Sequence, residues 1–283
     1  MPSTRELRRR IRSAKVTKQI TRAQEMIAAS RLRGATQAAL ASRQYAKELG
    51  RLIAILLRSK EEPFRHPWLG LPTDKPKLVI AIASYQGLAG SFQGNLLREA
   101  VRMHGLDSQT VFMPIGKRLI GSLRRLNVPL LADETQMPRQ PLVEDAERLA
   151  QKIGGLLSAN KFSGVELLST RYRSALVQET EIIALVPFVS TDTVGESAPL
   201  LYEPSTEDVL SSLLPQFLTG ILYSALLESK AAEYAARRTA MHAATDNAED
   251  LIGRLTLTYN RVRQAAITTE IAEIVGGAAA LTN

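Results

Sequence analysis

The chain has 283 residues, of which 45% are hydrophobic, 23% charged and only 5% aromatic, a balance typical of a helix-rich globular protein of one or two domains. Its formal net charge of +8 predicts an acidic partner, whether a protein surface, a nucleic acid or a membrane face. The lack of cysteine excludes disulfides, thiol nucleophiles and cysteine metal sites, and the three histidines have no metal-ligand spacing: His66, His104 and His242.

The first predicted element is a very long helix. Residues 4 to about 60 contain no proline, and Ser3 or Thr4 can cap the start of a helix. Apolar residues recur there at the helical spacings of three and four: Leu7, Ile11, Ala14, Ile20, Ala23 and Ile27. A helix over this segment would measure roughly 80 Å, which is far longer than the helices of ordinary globular domains.

Between residues 75 and 195 short apolar runs alternate with helical stretches. The predicted strands are residues 78–83, 110–115, 164–168 and 181–186, and the predicted helices are 95–104, 117–126 and 143–157. Alternation of this kind predicts a Rossmann-like α/β domain with a mainly parallel sheet.

From residue 206 the helical pattern returns. Pro215 predicts an early kink or a restart, and no proline follows it up to Ala280. A second apolar seam lies in this segment: Leu251, Leu255, Val262, Ala266 and Ile274. Because neither long helix can bury its stripe alone, we expect the two to pair as an antiparallel coiled coil.

The predicted fold class is therefore α plus α/β, a long antiparallel coiled coil of N- and C-terminal helices with an inserted Rossmann-like α/β domain. The predicted domains are a coiled-coil helix at 1–62, the α/β domain at 75–195 and a second coiled-coil helix at 206–283. The alternative is a bundle in which both helices break and fold back. No run of about 18 apolar residues is present, so no membrane span is predicted, and the first residues lack the apolar stretch of a signal peptide.

A glycine-rich segment, residues 84–94, follows the first predicted strand and precedes a helix, which is where phosphate-binding loops occur. Its three glycines do not match the dinucleotide pattern, and no Gly-Lys-Ser/Thr follows. A packing turn is the favoured interpretation, and neither a cofactor nor a metal is expected. Adjacent carboxylates have no nucleophile or metal set beside them, which favours solvated charge over catalysis: Asp133 with Glu134, Glu144 with Asp145, and Glu249 with Asp250.

Both ends of the chain predict protein partners. Ten Arg or Lys residues lie between positions 5 and 33, whereas the only acidic residues there are Glu6 and Glu25. This density of positive charge indicates an acidic binding partner, either a ring of protein subunits or, in the alternative function, a nucleic acid. The segment 271–281 is small and mostly apolar, so a sleeve or socket should cover it. A third hypothesis is a small-molecule enzyme that uses the α/β domain.

Several segments resemble one family, the gamma subunits of F-type ATP synthases. The C-terminal signature of that family is similar to ESKAAE (228–233), TDNA (245–248) and LTYNRVRQAAITTEIAEIVGGAAAL (257–281). Its first helix is similar to RRIRS (9–13), TKQITRA (17–23) and MIAASRL (26–32). The resemblance covers about residues 7–281, which leaves no room for a transit peptide.

The resemblance implies a non-catalytic rotor shaft that couples ion-driven rotation to ATP synthesis or hydrolysis. The implied partners are the nucleotide-binding alpha and beta subunits, the epsilon subunit and the membrane c-ring, with no nucleic acid, and the implied place is the cytoplasmic side of a bacterial cell membrane. The implied contacts with a catalytic subunit are Arg263, Gln264, Gln24 and Met26. The implied bearing tip is Ile274, Val275 and Leu281.

Two places depart from the family pattern. Tyr85, Gln86 and Ala89 stand where the family usually has Asp-Arg and a cysteine, and Gln24 stands where it usually has methionine. These departures predict altered contacts of the α/β domain and of the coupling surface, as in a divergent branch such as the sodium-linked F-type ATPases. The cysteine-bearing insertion of chloroplast gamma subunits is missing, so no thiol redox control is expected.

Overall fold

The computed structural model describes residues 3–58, 68, 74–84, 86–104, 109–131, 138–188, 203 and 205–281. The helices are α1 (Thr4–Arg58), α2 (Phe92–His104), α3 (Lys117–Arg125), α4 (Val143–Ser158) and α5 (Thr206–Leu281), and the strands are β1 (Lys77–Ile82), β2 (Thr110–Ile115), β3 (Gly164–Tyr172) and β4 (Gln178–Val186). The chain divides into two compact units, one formed by Met1–Ile27 with Arg238–Asn283 and the other by Ala28–Arg237.

In the first unit, segments of α1 and α5 pair in opposite directions. Four side-chain contacts show this, because the residue number rises along α1 as it falls along α5: Arg8 to Tyr259 at 2.8 Å, Lys18 to Glu249 at 2.7 Å, Thr21 to Thr245 at 2.8 Å and Glu25 to His242 at 3.1 Å. Buried side chains repeat every seven residues along the seam: Leu7, Ala14 and Thr21 in α1, and Met241 and Ala248 in α5. The predicted antiparallel coiled coil is confirmed.

The predicted apolar seam was partly wrong. Leu7 and Ala14 are buried, but Ile20 is 55% exposed, Ile27 45% and Leu251 49%. The true seam has a period of 3.5 residues and includes polar residues such as Thr21, so a count of apolar positions alone picks a second stripe on the outer face.

In the second unit, four strands form one sheet in the order β2-β1-β3-β4. Strand β1 pairs in parallel with β2 and β3, and β4 pairs antiparallel with β3. The Rossmann-like domain with a mainly parallel sheet is confirmed. The last two strands are longer than predicted, because their outer ends carry polar residues that continue the β3–β4 ladder beyond the apolar runs.

The sheet has an apolar core on each face, since successive residues of β1 point to opposite sides. Leu78, Ile80 and Ile82 pack with α4 and with α5, while Val79 and Ala81 pack with α2 and α3. Helix α5 contributes Leu218, Leu222 and Leu226, which are four residues apart and therefore share one side of the helix. The C-terminal helix is thus part of the domain core as well as of the coiled coil.

Of the kink or restart predicted at Pro215, the restart does not occur, because α5 continues through this residue. The proline costs a backbone hydrogen bond, which burial of the neighbouring Leu214, Phe217 and Leu218 offsets. Contrary to the prediction that no run is apolar enough for a membrane, α5 is long and apolar enough to cross one, by length and composition alone. An 18-residue window of α5 has a mean hydropathy of 1.5, but half of it is buried within the protein, as in a core helix.

Candidate functional site

The glycine-rich segment lies against α5 at the carboxyl ends of the strands. Arg237 of α5 donates from Nε and Nη2 to the carbonyl oxygen of Gly87, at 3.3 and 3.2 Å, and from Nη2 to that of Gln86 at 3.5 Å. The Ser229 hydroxyl donates to the carbonyl oxygen of Ile82, the last residue of β1, at 3.4 Å. Ala232 packs on the side chains of two residues of the glycine-rich segment, Ala89 and Phe92.

This placement gives the glycines a packing role. In doubly wound proteins, ligands bind in the crevice outside the carboxyl ends of the strands, and here α5 side chains lie in that place. Gly116, after β2, has a φ of +115°, and a Cβ there would lie 2.4 Å from the carbonyl oxygen of Ala83. The loops therefore approach the strand end too closely for a side chain. Tyr85, one of the residues that depart from the family pattern, lies outside the described residues.

A group of buried charges fastens α5 to the α/β domain. Glu233 is 1% exposed and accepts from Arg237 at 2.6 Å and from Lys230 at 3.1 Å. Glu228 is 6% exposed and accepts from Nε of Arg43, in α1, at 2.6 Å. A second donor of Arg43 reaches the carbonyl oxygen of Tyr172, at the end of β3, at 3.1 Å. The charges therefore join both long helices to the sheet.

Sequence reasoning missed these buried charges, because it treated the ionic residues of the C-terminal helix as a balanced, solvated set. A signal was present. Lys230, Glu233 and Arg237 have the spacings of three and four that place them together on a helix, and alanines surround them. Charges within a run of small apolar residues indicate a helix packed on several sides.

Glu181 in the sheet and Tyr259 in the coiled coil are among the titratable groups whose pKa values are shifted. Burial raises the pKa of Glu181 above its ordinary value, and the guanidinium of Arg171, 3.5 Å away, opposes the shift. In the coiled coil, the hydrogen bond from Arg8 lowers the pKa of Tyr259, and the nearby charge of Arg263 acts in the same direction. Among the described residues, no group of three or more His, Asp or Glu side chains could hold a metal ion.

The four residues implied in coupling lie at two separate levels of the coiled coil. Arg263 and Gln264 are exposed on α5, close to the level of Thr4, since Tyr259 contacts Arg8. Met26 is 60% exposed and Gln24 is partly buried on α1. With about 20 residues of helix between the two levels, the pairs are roughly 30 Å apart, so they cannot form one contact.

Beyond Arg263, α5 continues past the level at which α1 begins. Residues 264–278 are all exposed. Four large apolar side chains there follow the helical spacings of four and three: Ile267 at 46% exposure, Ile271 at 56%, Ile274 at 68% and Val275 at 62%. The side chain of Leu281 lies outside the described residues. This end of α5 presents an apolar stripe that nothing in the chain covers among the described residues.

Comparisons with known proteins agree on one family. A family model described as ATP synthase matches residues 3–281. The chain is 37% identical over 284 residues to an ATP synthase gamma chain of Pelotomaculum thermopropionicum, covering 99% of this chain and 100% of that protein. It is 39% identical over 280 residues to an ATP synthase gamma chain of Brevibacillus brevis, covering 97% of each.

Solved structures share the fold at low identity. A chain of the Euglena gracilis mitochondrial ATP synthase, in a structure of OSCP, F1 and c-ring, is similar with a TM-score of 0.70 and 18% identity, covering 98% of this chain and 94% of that one. A chain in a structure of the Tetrahymena thermophila mitochondrial ATP synthase central stalk and c-ring is similar with a TM-score of 0.61 and 21% identity. The match covers 80% of this chain and 99% of that one. None of these similar proteins is described as binding nucleic acid.

Proposed function

The chain belongs to the ATP synthase gamma chain family and is a non-catalytic subunit of the central stalk, and we propose that its coiled coil transmits rotation to the catalytic subunits. The observation that carries this proposal is the antiparallel pairing of α1 and α5, with an apolar end of α5 that extends beyond its partner helix. Paired helices resist bending and twisting better than a single helix, as a shaft requires.

The proposed partners are the alpha and beta subunits of the nucleotide-binding ring, the epsilon subunit and the membrane c-ring. The similar solved chains come from assemblies titled with F1, OSCP and c-ring, which supports this set. ATP synthases are membrane-associated complexes, and for this chain we propose the cytoplasmic side of a bacterial membrane. We also propose the division into a helix at 1–62, an α/β domain at 75–195 and a helix at 206–283.

Coupling is proposed at two levels of the shaft. Arg263 offers five donors and a permanent charge, and Gln264 offers a donor and an acceptor, so together they can bind a carboxylate and an amide of a catalytic-subunit loop. Gln24 and Met26 would form a second contact, about 30 Å away along the coiled coil. Because Met26 is 60% exposed, a partner could bury its side chain without unfolding the helix.

The bearing is proposed at the end of α5. An exposed apolar stripe on a free helix end is unfavourable in water, and Ile274 and Val275 lie on it. Leu281 would extend the same surface. Apolar contacts are non-directional, so a smooth sleeve around this end can hold it while it turns.

The test is rotation of the reconstituted assembly. The chain has no cysteine, so Lys161→Cys, at an exposed position of the α/β domain, gives one attachment point for a bead. With alpha and beta subunits of the same source fixed to glass, MgATP should drive rotation in one direction, while the labelled chain alone shows no hydrolysis. A ring that hydrolyses ATP with the chain bound and stationary would refute the proposal, as would hydrolysis by the chain alone.

A further inference from the structure

A long groove lies on one side of the second unit and plays no part in the shaft role proposed above. It consists of two cavities of about 910 and 470 Å³. Ala38 of α1 and Tyr223 of α5 line both cavities, so the two lie next to each other along the same helices. We refer to the two together as the α1–α4 groove.

Three walls define the α1–α4 groove. Helix α1 contributes positions three or four residues apart: Ser30, Gly34, Ala38, Ala41 and Tyr45. Helix α5 contributes positions from Pro215 to Tyr234. The third wall runs from Arg139, in the segment before α4, to Gly154 within α4. The stretch of α1 from Ser30 to Tyr45 measures about 22 Å, which is the length of a helix of roughly four turns.

The lining is mostly small or apolar, and part of it is exposed. Gly34, Ala38 and Ala41 leave room for close approach by a backbone, as small residues do where helices cross. Large apolar side chains stand at the margins, with Leu142 56% exposed and Tyr45 57% exposed. Apolar side chains clustered in an open groove indicate a surface that a partner covers.

Charge is unevenly distributed along the groove. Arg31 and Arg139 lie in the smaller cavity, and neither has an ion-pair partner among the described residues. The ammonium of Lys230, in the same cavity, is 3.1 Å from Glu233 and therefore already compensated. None of the described residues that line this cavity is acidic, whereas Glu147 lines the larger one. An occupant should therefore carry acidic groups at the Arg31 end.

The walls decide what shape of partner fits. A β-strand needs a free sheet edge to bind, but helices supply most of this lining, and their backbone groups are already bonded within the helix. A helix needs only a groove that accepts side chains spaced three and four residues apart. We propose that the α1–α4 groove binds an amphipathic helix of another polypeptide, roughly four turns long, with acidic residues next to Arg31 and Arg139.

The experiment is photo-crosslinking in the intact complex purified from membranes. Ala38→Cys puts the only cysteine of the chain inside the groove, where a maleimide–benzophenone reagent can be attached. Leu40→Cys is the matched control, because Leu40 is 52% exposed on the same helix and lines neither cavity. Mass spectrometry should find that position 38 is linked to one segment of a partner polypeptide, with apolar residues at helical spacing and acidic residues at one end, and that position 40 is not.

A charge reversal tests the predicted polarity. In the Ala38→Cys background, Arg31→Glu with Arg139→Glu should lower the crosslinking yield at least ten-fold. Arg33→Glu, an exposed position outside the groove, should change it less than two-fold. An unchanged yield in the double reversal would overturn the proposal, and so would a crosslink to residues 264–281 of a second copy, to a basic or non-helical segment, or to nothing. Loss of the alpha and beta subunits from the purified complex would instead contradict the proposed function.

Discussion

Replacing Glu233 with Gln should strongly destabilise the α/β unit, although it alters no more than a carboxylate oxygen. The side chain of Glu233 is 2% exposed, and its two cationic partners, Lys230 and Arg237, are 8% and 6% exposed. Removing the anion leaves two cations buried without compensation. Breaking a buried ion pair in this way costs about 3–5 kcal/mol.

The lower end of that range applies here. Arg237 keeps its hydrogen bonds to the carbonyl oxygens of Gly87 and Gln86, so part of its charge stays solvated by the protein. We therefore expect a loss of about 3 kcal/mol. In a unit of this size each kcal/mol lowers Tm by about 2–4 °C, so the melting temperature should fall by about 6–12 °C.

The assay is thermal unfolding of the full chain followed by circular dichroism. Glu48→Gln is the control, because Glu48 and Arg51 are 4.0 Å apart and each more than half exposed, and such pairs contribute about 0–1 kcal/mol. Adding Lys230→Met to Glu233→Gln should restore part of the loss, since one uncompensated cation disappears. If Glu233→Gln and Glu48→Gln melt within about 2 °C of each other, the buried charges do not hold α5 in place.

Three further predictions follow from the structure. Gly116→Ala should destabilise the chain by about 2 kcal/mol or more in urea unfolding, because Gly116 has a positive φ and a Cβ there would lie 2.4 Å from a backbone oxygen. The control is Gly94→Ala, in open space within α2, which should be neutral or stabilising. Equal effects of the two substitutions would refute this prediction. Burial raises the pKa of Glu181 above 4.5, so the folded state holds the proton more tightly and stability should fall as pH rises from 4.5 through the raised value. Glu181→Gln should remove that contribution, so the stability of the wild type minus that of the variant should fall over this window, and a difference that rises would contradict the prediction. Arg263→Ala with Gln264→Ala should leave assembly intact and lower ATP turnover by the reconstituted complex roughly ten-fold, as expected for lost charge-assisted hydrogen bonds; wild-type turnover would exclude these two residues from coupling.

The α/β domain was predictable because its signals are local. Residues 78–82 form a continuous apolar run, which is typical of a strand covered on both faces. The structure buries Leu78, Ile80 and Ile82 on one face and Val79 and Ala81 on the other. Strand lengths were less predictable, since polar residues such as Glu179 extend β4 at the end next to the turn that joins it to β3. Their pairing depends on a neighbouring strand, which a local apolar pattern does not report.

The seam of the coiled coil was harder to predict, because two stripes compete on one helix. Ile20 and Ile27 are more hydrophobic than Thr21, yet Thr21 is buried against Thr245, and the two isoleucines are exposed. Hydrophobicity indicates which residues prefer burial but not what buries them. The two isoleucines could be buried by another polypeptide instead of by α5. The coupling residues are subject to the same limit, since their function depends on surfaces that belong to other polypeptides.

The contacts at the carboxyl ends of the strands explain how a nucleotide-binding architecture can serve a mechanical purpose. A helix packed on a sheet by leucines alone could shift along it, because apolar attraction is non-directional. The bonds from Arg237 to Gly87 and from Ser229 to Ile82 are directional, so they select one register of α5 on the domain. These bonds use backbone carbonyls at the end of β1 and in the turn after it, which is where a Rossmann ligand would bind. The same side chains that fill the crevice therefore fix the domain to its helix, and a ligand could enter only by breaking that attachment.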